Sequence, residues 1–226
     1  MIIGAALRSR GWDTTVLGAA TSPLRLSQHL ADQGPDAVAI SCSVLGALPT
    51  TRRFIEAATA AGVPTLVGGP AFGYDDVRAR ALGATAWAPD ARTAVVVMES
   101  LPAVVSVLPE RPAAVTTEQA LIDLHHRRIV ESLRRRWSLT REPNSSAAFD
   151  DLATDILKQA LHAVSAALLT GDSRPVSDTA WWITDVLAAR DIRSGAVAEL
   201  STLLSTELQE FPLARELLAQ HFVPAD

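Results

Sequence analysis

The sequence predicts an α/β fold with a doubly wound parallel sheet, followed by a smaller all-helical region. Short apolar runs alternate with helical patterns through about residue 101, and these runs end in small or polar residues. Residues 38–40 read as a strand buried on both faces, and residues 65–67 read as a second strand that ends in Gly68 and Gly69. Beyond residue 116 the periodicity is helical throughout, which predicts the second region.

The elements of the first region follow one another with short connections. We expect helices over 1–10, from Pro23 to Gln33, over 49–61, over 75–82 and from Pro89 to Leu101. Between them we expect strands over 12–17, 36–41, 65–67 and 84–87. This order predicts four parallel strands with helices on both faces.

The chain begins with a helix, whereas a crossover helix needs a strand before it. Either a four-stranded sheet starts this way, or the first strand and its loop are missing from this chain. We favour the second alternative. Segments 12–17 and 36–41 would then flank an absent central strand, and they must pair anew, borrow a strand or belong to a longer protein.

Three prolines at positions 102, 109 and 112 predict a linker over 102–115, between a domain at 1–101 and a helical domain at 116–226. Thr116 or Thr117 is expected to cap a helix that ends near Trp137. Ser146 is expected to cap a long helix with an apolar stripe. Three more helices are expected over 175–190, 195–208 and 212–222.

Composition excludes several classes of protein. Residues 1–101 carry no net charge and residues 102–226 carry a net charge of −5, which argues against DNA as a partner. The single cysteine, Cys42, excludes an internal disulfide and offers no metal framework; it reads as a small buried hydrophobe. No apolar run approaches the ~18 residues of a membrane span and the start lacks a basic signal, so we expect a cytoplasmic protein.

No catalytic or metal-binding constellation is evident, so we expect a binding protein and not an enzyme. Ser41 and Ser43 lack the Gly-x-Ser-x-Gly elbow of hydrolases. Gly68 and Gly69 lack the Lys-Ser/Thr of a phosphate-binding loop. No His-x-x-x-His or Cys-x-x-Cys spacing indicates a metal site.

Other chemistry-bearing residues lie in the helical region and have mainly structural interpretations. His125 and His126 are adjacent, so they diverge on a helix and indicate a solvated face, or else a switch or partner surface. His162 reads as a core histidine in preference to a haem or cobalt ligand. Of Trp181 and Trp182, one reads as core, and facing a partner or a flat ligand is the alternative for the other.

The small and polar strand ends predict a ligand site. In an open parallel sheet the carboxyl ends of the strands line the ligand crevice. Ser41, Ser43, Gly68 and Gly69 should therefore lie side by side on one rim, where glycines let a ligand approach the backbone closely.

Four segments carry a family resemblance: GWDTTVLG at 11–18, AISCS at 39–43, AGVPTLVGG at 61–69 and LGATAWAPD at 82–90. Together they resemble the cobalamin-binding domain of methionine synthase and of cobalamin-dependent regulators. The resemblance covers residues 1 to about 101. It implies a flavodoxin-like fold in which the nucleotide tail of cobalamin threads between the strand ends.

The resemblance also implies the cofactor-binding residues. The two serines match the motif that touches the lower-ligand base, and the glycine pair matches the one that lets the tail pass. Two earlier residues match the loop beside the base, and two residues in later rim loops complete the set: Gly18, Thr21, Ser41, Ser43, Gly68, Gly69, Phe72 and Asp90.

The chain departs from the family at its start. It lacks the Asp-x-His-x-x-Gly signature, so the cobalt-ligating histidine is absent, and it lacks the preceding helical cap. Residues 180–190 resemble a helical tail of some bacterial regulators. The resemblance implies a cobalamin-binding regulatory or sensory protein, light-responsive in some members, that acts through a partner protein or homo-oligomer. The alternatives are a corrinoid carrier for methyl transfer and an interaction protein without ligand.

Overall fold

A computed structural model describes residues 2–105, 107–141, 147–192 and 195–223. The chain divides into two compact units, Met1–Glu110 and Arg111–Asp226. The first is an α/β unit and the second is a helical unit. The division lies inside the segment 102–115 that the prolines predict as a linker, and the predicted domain boundaries themselves stay a prediction.

The α/β unit contains three parallel strands, in the order β1 (Val38–Ser41), β2 (Thr65–Gly68) and β3 (Ala86–Ala88). Five helices accompany them: α1 (Ile2–Arg8), α2 (Pro23–Gln33), α3 (Leu48–Ala60), α4 (Val77–Leu82) and α5 (Ala91–Glu99). The predicted flavodoxin-like class, with helices flanking a parallel sheet, is confirmed. The predicted helices are present with ends that differ by a few residues.

The predicted strand over 12–17 is wrong, since the sheet has three strands and this segment pairs with none of them. It is held against α1 instead. The Trp12 amide donates to the Leu7 carbonyl at 3.2 Å, and the Arg8 guanidinium donates to the Thr14 carbonyl at 3.0 Å. A segment with strand propensity becomes a strand only beside another strand edge, and in the described residues none lies next to it.

Helices cover both faces of the sheet. Leu66 and Ala88 point to the face where Leu7 of α1 and Val95 of α5 pack. The opposite face carries a second cluster, in which the side chains of α2 and α3 meet Val38: Leu26, Leu30, Phe54, Ala57 and Ala58. β1 is an edge strand of this sheet, and Ala39 in its middle is solvent-exposed, so the prediction that residues 38–40 are buried on both faces is wrong.

The helical unit contains α6 (Ala113–Arg136), α7 (Ala147–Thr170), α8 (Arg174–Ala188), α9 (Gly195–Glu207) and α10 (Pro212–His221). Its core is one continuous apolar cluster to which all five helices contribute. The predicted stripe of α7 faces this core: Ile156, Leu157, Leu161 and Val164 are fully buried, Leu168 is buried and Leu152 is partly buried. In the part of the chain that the structure describes, no helix combines the length and apolarity needed to cross a membrane.

The predicted caps of α6 and α7 have different outcomes. α6 begins before Thr116, with Pro112 at the cap position, so the prediction of a Thr116 or Thr117 cap is wrong. A proline is tolerated at the start of a helix because an amide there has no hydrogen-bond partner within the helix. The predicted cap Ser146 lies outside the described residues.

Candidate functional site at the carboxyl edge of the sheet

The strand register places two predicted rim residues, Ser41 and Gly68, in one row with Ala88. Ser41 at the end of β1 is the register partner of Gly68 in β2, and Gly68 is the partner of Ala88 in β3. Because all three strands are parallel, the loops that follow them leave from the same edge. Ser41, Ser43, Gly68 and Gly69 therefore share one rim.

The two glycines are required by the backbone around them. A Cβ added to Gly68 would lie 2.6 Å from the Ala88 carbonyl oxygen. A Cβ added to Gly69 would lie 2.5 Å from the Cys42 carbonyl oxygen, and Gly69 has φ +99°, a conformation that side chains rarely adopt. No larger residue fits either position unless the loops move apart.

Cys42 joins the first two rim loops through its backbone. Its amide donates to the Gly68 carbonyl at 2.9 Å, and its carbonyl accepts the Ala71 amide at 3.1 Å. The side chain is buried, as the sequence predicts, and burial raises the pKa of the Cys42 thiol. The thiol is therefore protonated at neutral pH, and the residue acts as a spacer that fixes the distance between the loops.

The serines of the rim are free to meet a ligand. Ser41 and Ser43 are both exposed, and their hydroxyls form no side-chain hydrogen bond within the described residues. A hydroxyl can donate one hydrogen bond and accept two, so this rim offers two groups suited to a phosphate or to a ring nitrogen.

Gly18 and Thr21 precede α2 and lie toward the same edge. α2 ends four residues before β1 begins, so its start lies near the end of β1 where Ser41 is placed. Gly18 has φ +82°, and a Cβ added there would meet no atom within 4 Å. The Thr21 hydroxyl donates to the Leu17 carbonyl at 2.8 Å, which closes the loop.

Phe72 and Asp90 have structural partners. Phe72, the last residue of the turn 70–72, is 0% exposed, so its side chain offers no surface to a ligand. Asp90 is exposed and caps α5, accepting the Thr93 amide at 2.8 Å. That hydrogen bond from Thr93 is the main cause that lowers the pKa of the Asp90 carboxyl, which is therefore charged at neutral pH.

Arg78 is a rim-supporting residue that the sequence does not reveal. Its side chain is only 5% exposed, and its guanidinium donates to the Ala71 carbonyl at 2.9 Å. A Cβ at Gly73 would lie 3.3 Å from the guanidinium carbon. Arg78 therefore anchors the loop after β2 from below. Arg78 and Arg80 lie in the same short helix, and no sequence signal separates the buried one from the exposed one.

The other candidate residues lie in the helical unit. The rings of His126 and His162 stack at 4.2 Å between centroids. Burial, and then the positive potentials of His126 and Lys158, lower the pKa of His162 to about 4, so it is neutral at physiological pH. Trp181 and Trp182 are 61% and 39% exposed, so neither belongs to the core and the prediction that one of them does is wrong.

No metal-binding cluster of three or more acidic, histidine or cysteine side chains occurs in the described ranges. Before residue 125 the sequence contains one histidine, His29. It lies six residues into α2, about 9 Å along the helix from the end that faces the rim. The residues at this rim therefore suit the tail of a large ligand, and they include no imidazole for a cobalt ion.

Residues 1–96 match the family model of the B12 binding domain. A search of curated proteins found no matching relative. The matched segment contains the whole three-stranded sheet and the loops that follow its three strands.

Proposed function

Because residues 1–96 match the family model of the B12 binding domain, we propose that this chain binds a cobalamin or a related corrinoid through the carboxyl edge of its sheet. The observation that carries the proposal is the row formed by Ser41, Gly68 and Ala88. In that row the middle strand ends without side chains, and exposed hydroxyls stand beside it. This shape suits an elongated polar tail that lies against backbone.

Each rim residue has a role in this proposal. Ser41 and Ser43 supply hydroxyls for hydrogen bonds to the tail and its base. Gly68 and Gly69 keep the passage open, and Gly18 leaves space beside the first loop. Behind them, the loops are held in place by three residues: the buried Phe72, Asp90 at the cap of α5, and Arg78.

A bound corrinoid supplies cobalt chemistry that no side chain of the chain can supply. Since the rim includes no histidine and His29 lies away from it, the α/β unit offers no imidazole to the cobalt. We therefore expect the corrinoid to bind with its own base on the cobalt. The residues of the rim then act only by binding and orienting the tail.

The wider role that we propose is regulatory or sensory, and light-responsive assembly is one form of it. The helical unit supports this role over a carrier role in methyl transfer, because its surface has exposed apolar side chains suited to assembly: Leu121, Leu124, Trp181 and Trp182. It acts in this proposal as the output part, through a protein partner or a second copy.

Substitution at the rim tests the binding site. Ser43→Leu places an apolar side chain in the passage of the tail but disturbs no contact of the folded chain, because Ser43 is exposed. We expect affinity for hydroxocobalamin to fall at least about tenfold, as expected when a hydrogen bond is lost and a clash is added. Equilibrium dialysis with absorption readout measures it.

Ser100→Leu is the control, since Ser100 is an exposed serine at the end of α5 opposite the end that starts at the rim, and its hydroxyl donates only to carbonyls of α5. It should bind like the parent. If the Ser43→Leu and Ser100→Leu variants, both folded by circular dichroism, bind hydroxocobalamin equally, then Ser43 does not contact the ligand and this rim is not the corrinoid site.

A further inference from the structure

Helix α8 carries an acidic and aromatic surface that the described residues of its unit leave uncovered. Trp181 is 61% exposed and Trp182 is 39% exposed. Asp178 and Asp185 lie one turn before and one turn after them on the same face, and both are exposed. Monomeric proteins seldom leave two adjacent tryptophans in water, so this surface has the character of a contact site.

Helix α6 of the same unit carries a surface of the opposite character. Leu121 and Leu124 are 37% and 74% exposed. Arg127 and Arg128 follow Leu124 by three and four residues, so they continue the same face, and both are exposed. Apolar surface and positive charge are thus combined on α6, as apolar surface and negative charge are combined on α8.

None of these four charged side chains has an ion-pair partner in the parts of the chain that the structure describes. The ion pairs of the helical unit use other residues, such as Arg136 with Glu207 and Arg174 with Asp172. Charges that are left without an internal partner beside exposed apolar side chains are available to another surface.

We propose that a second copy of this chain occupies these surfaces, so that the Trp181–Trp182 surface of one copy packs on the Leu124–Arg128 surface of the other. Each tryptophan then meets leucine side chains and an arginine guanidinium, a contact that aromatic rings favour. Asp178 and Asp185 meet Arg127 and Arg128. The inference deepens the output part of the proposed function, and its experiment omits corrinoid so that the two can fail separately.

The charge and the size of the surfaces favour a second copy over other partners. The helical region is acidic overall, which disfavours a nucleic acid on the α6 arginines. Two tryptophans bury about 150–250 Å² each, less than the ~800 Å² per partner of a standard interface. A two-fold pair makes the α8-to-α6 contact twice, and so approaches that area.

Charge reversal followed by mixing tests the pairing directly. We expect the parent chain to form a dimer by sedimentation equilibrium, and the variants Asp178→Arg/Asp185→Arg and Arg127→Glu/Arg128→Glu each to dimerise at least about tenfold more weakly. Mixing the two variants should restore dimerisation to within about threefold of the parent, because each reversed surface then meets its complement.

Single substitutions add a matched control. Trp181→Ser should weaken the dimer at least about tenfold, whereas Tyr74→Ser, which removes a 94% exposed aromatic from the α/β unit, should leave it unchanged. Circular dichroism confirms that each variant is folded. A monomeric parent chain at 0.5 mM (roughly the upper limit for such surfaces), or charge variants that fail to recover on mixing, would overturn the proposal.

Discussion

The two units of the molecule position their polar groups in different ways. In the α/β unit the rim is set by backbone atoms, since Gly69 lies against the Cys42 carbonyl and the Cys42 amide donates to Gly68. In the helical unit a distant side chain performs this task. The buried carboxylate of Glu118 in α6 accepts the amides of Leu213 and Ala214, about 3.1 Å away, and so caps α10 from 95 residues earlier in the chain.

The difference explains why the α/β unit has a recognisable sequence motif and the helical unit has none. A site made from backbone needs glycines at set positions after strands, and that requirement is visible as a motif. A unit held by side chains meeting across long sequence distances leaves no local motif. The buried contact of Gln119 in α6 with Ser165 in α7 at 3.3 Å is a further example.

The largest expected effect tests the backbone part of this comparison. Gly69→Ala adds a Cβ at 2.5 Å from the Cys42 carbonyl in a left-handed conformation, so we expect the α/β unit to lose about 2–5 kcal/mol of stability. Gly34→Ala is the matched control. Gly34 also has positive φ, at +54°, but meets no atom within 4 Å, so it should cost only about 1–2 kcal/mol.

Chemical denaturation of each variant measures these losses, with the helical unit as an internal reference that neither substitution should affect. Equal losses for the Gly69→Ala and Gly34→Ala variants would contradict the packing of Gly69 on Cys42. The strain at Gly69 also means that loss of corrinoid binding in a Gly69 variant would not by itself locate the ligand, which is why the exposed Ser43 is the better probe.

A smaller effect, confined to the helical unit, concerns pH. The pKa of His162 is about 4 in the folded chain, lowered first by burial, against about 6.5 when unfolded. Between about pH 4 and 6.5 the unfolded chain binds a proton at His162 that the folded chain does not. The contribution of His162 to the free energy of unfolding is therefore highest above about pH 6.5 and decreases as the pH falls toward 4.

Because His162 is partly exposed, solvent screening keeps the loss on the order of 1 kcal/mol. His162→Phe, which retains a ring against His126, should remove this pH dependence, while His125→Phe should retain it. Denaturation midpoints between pH 4 and 7 provide the measurement. An unchanged pH dependence in the His162→Phe variant would assign it to another group. In the α/β unit the shifted pKa values, those of Cys42 and Asp90, lie outside this range of pH.

Much of the α/β unit could be predicted from sequence because its signals are local. The strands ending at Ser41 and Gly68 follow from apolar runs that end in small or polar residues. The sequence allows Thr21 or Ser22 as the cap of α2 before Pro23, and the structure uses Ser22. The strand predicted over 12–17 failed because a strand depends on a neighbour that local sequence does not specify. Arg78 was missed for a related reason, since its burial depends on the turn at 70–72 that folds over it.

In the helical unit the helices could be predicted but the partners of their polar residues could not. The stripe of α7 fixes which face is buried. Nothing local indicates that Glu118 caps α10, that His162 stacks on His126, or that both tryptophans are exposed. Those facts depend on how five helices pack around one core.

The most direct measurement is a titration of the whole chain with hydroxocobalamin, followed by absorption spectroscopy and equilibrium dialysis. We expect saturable binding at one site per chain, with the spectrum of a cobalamin that keeps its own base on the cobalt, and no change in either when His29 is replaced by alanine. Absence of binding, or a spectrum of histidine-ligated cobalt that the His29→Ala variant abolishes, would contradict the proposal that this rim holds only the tail.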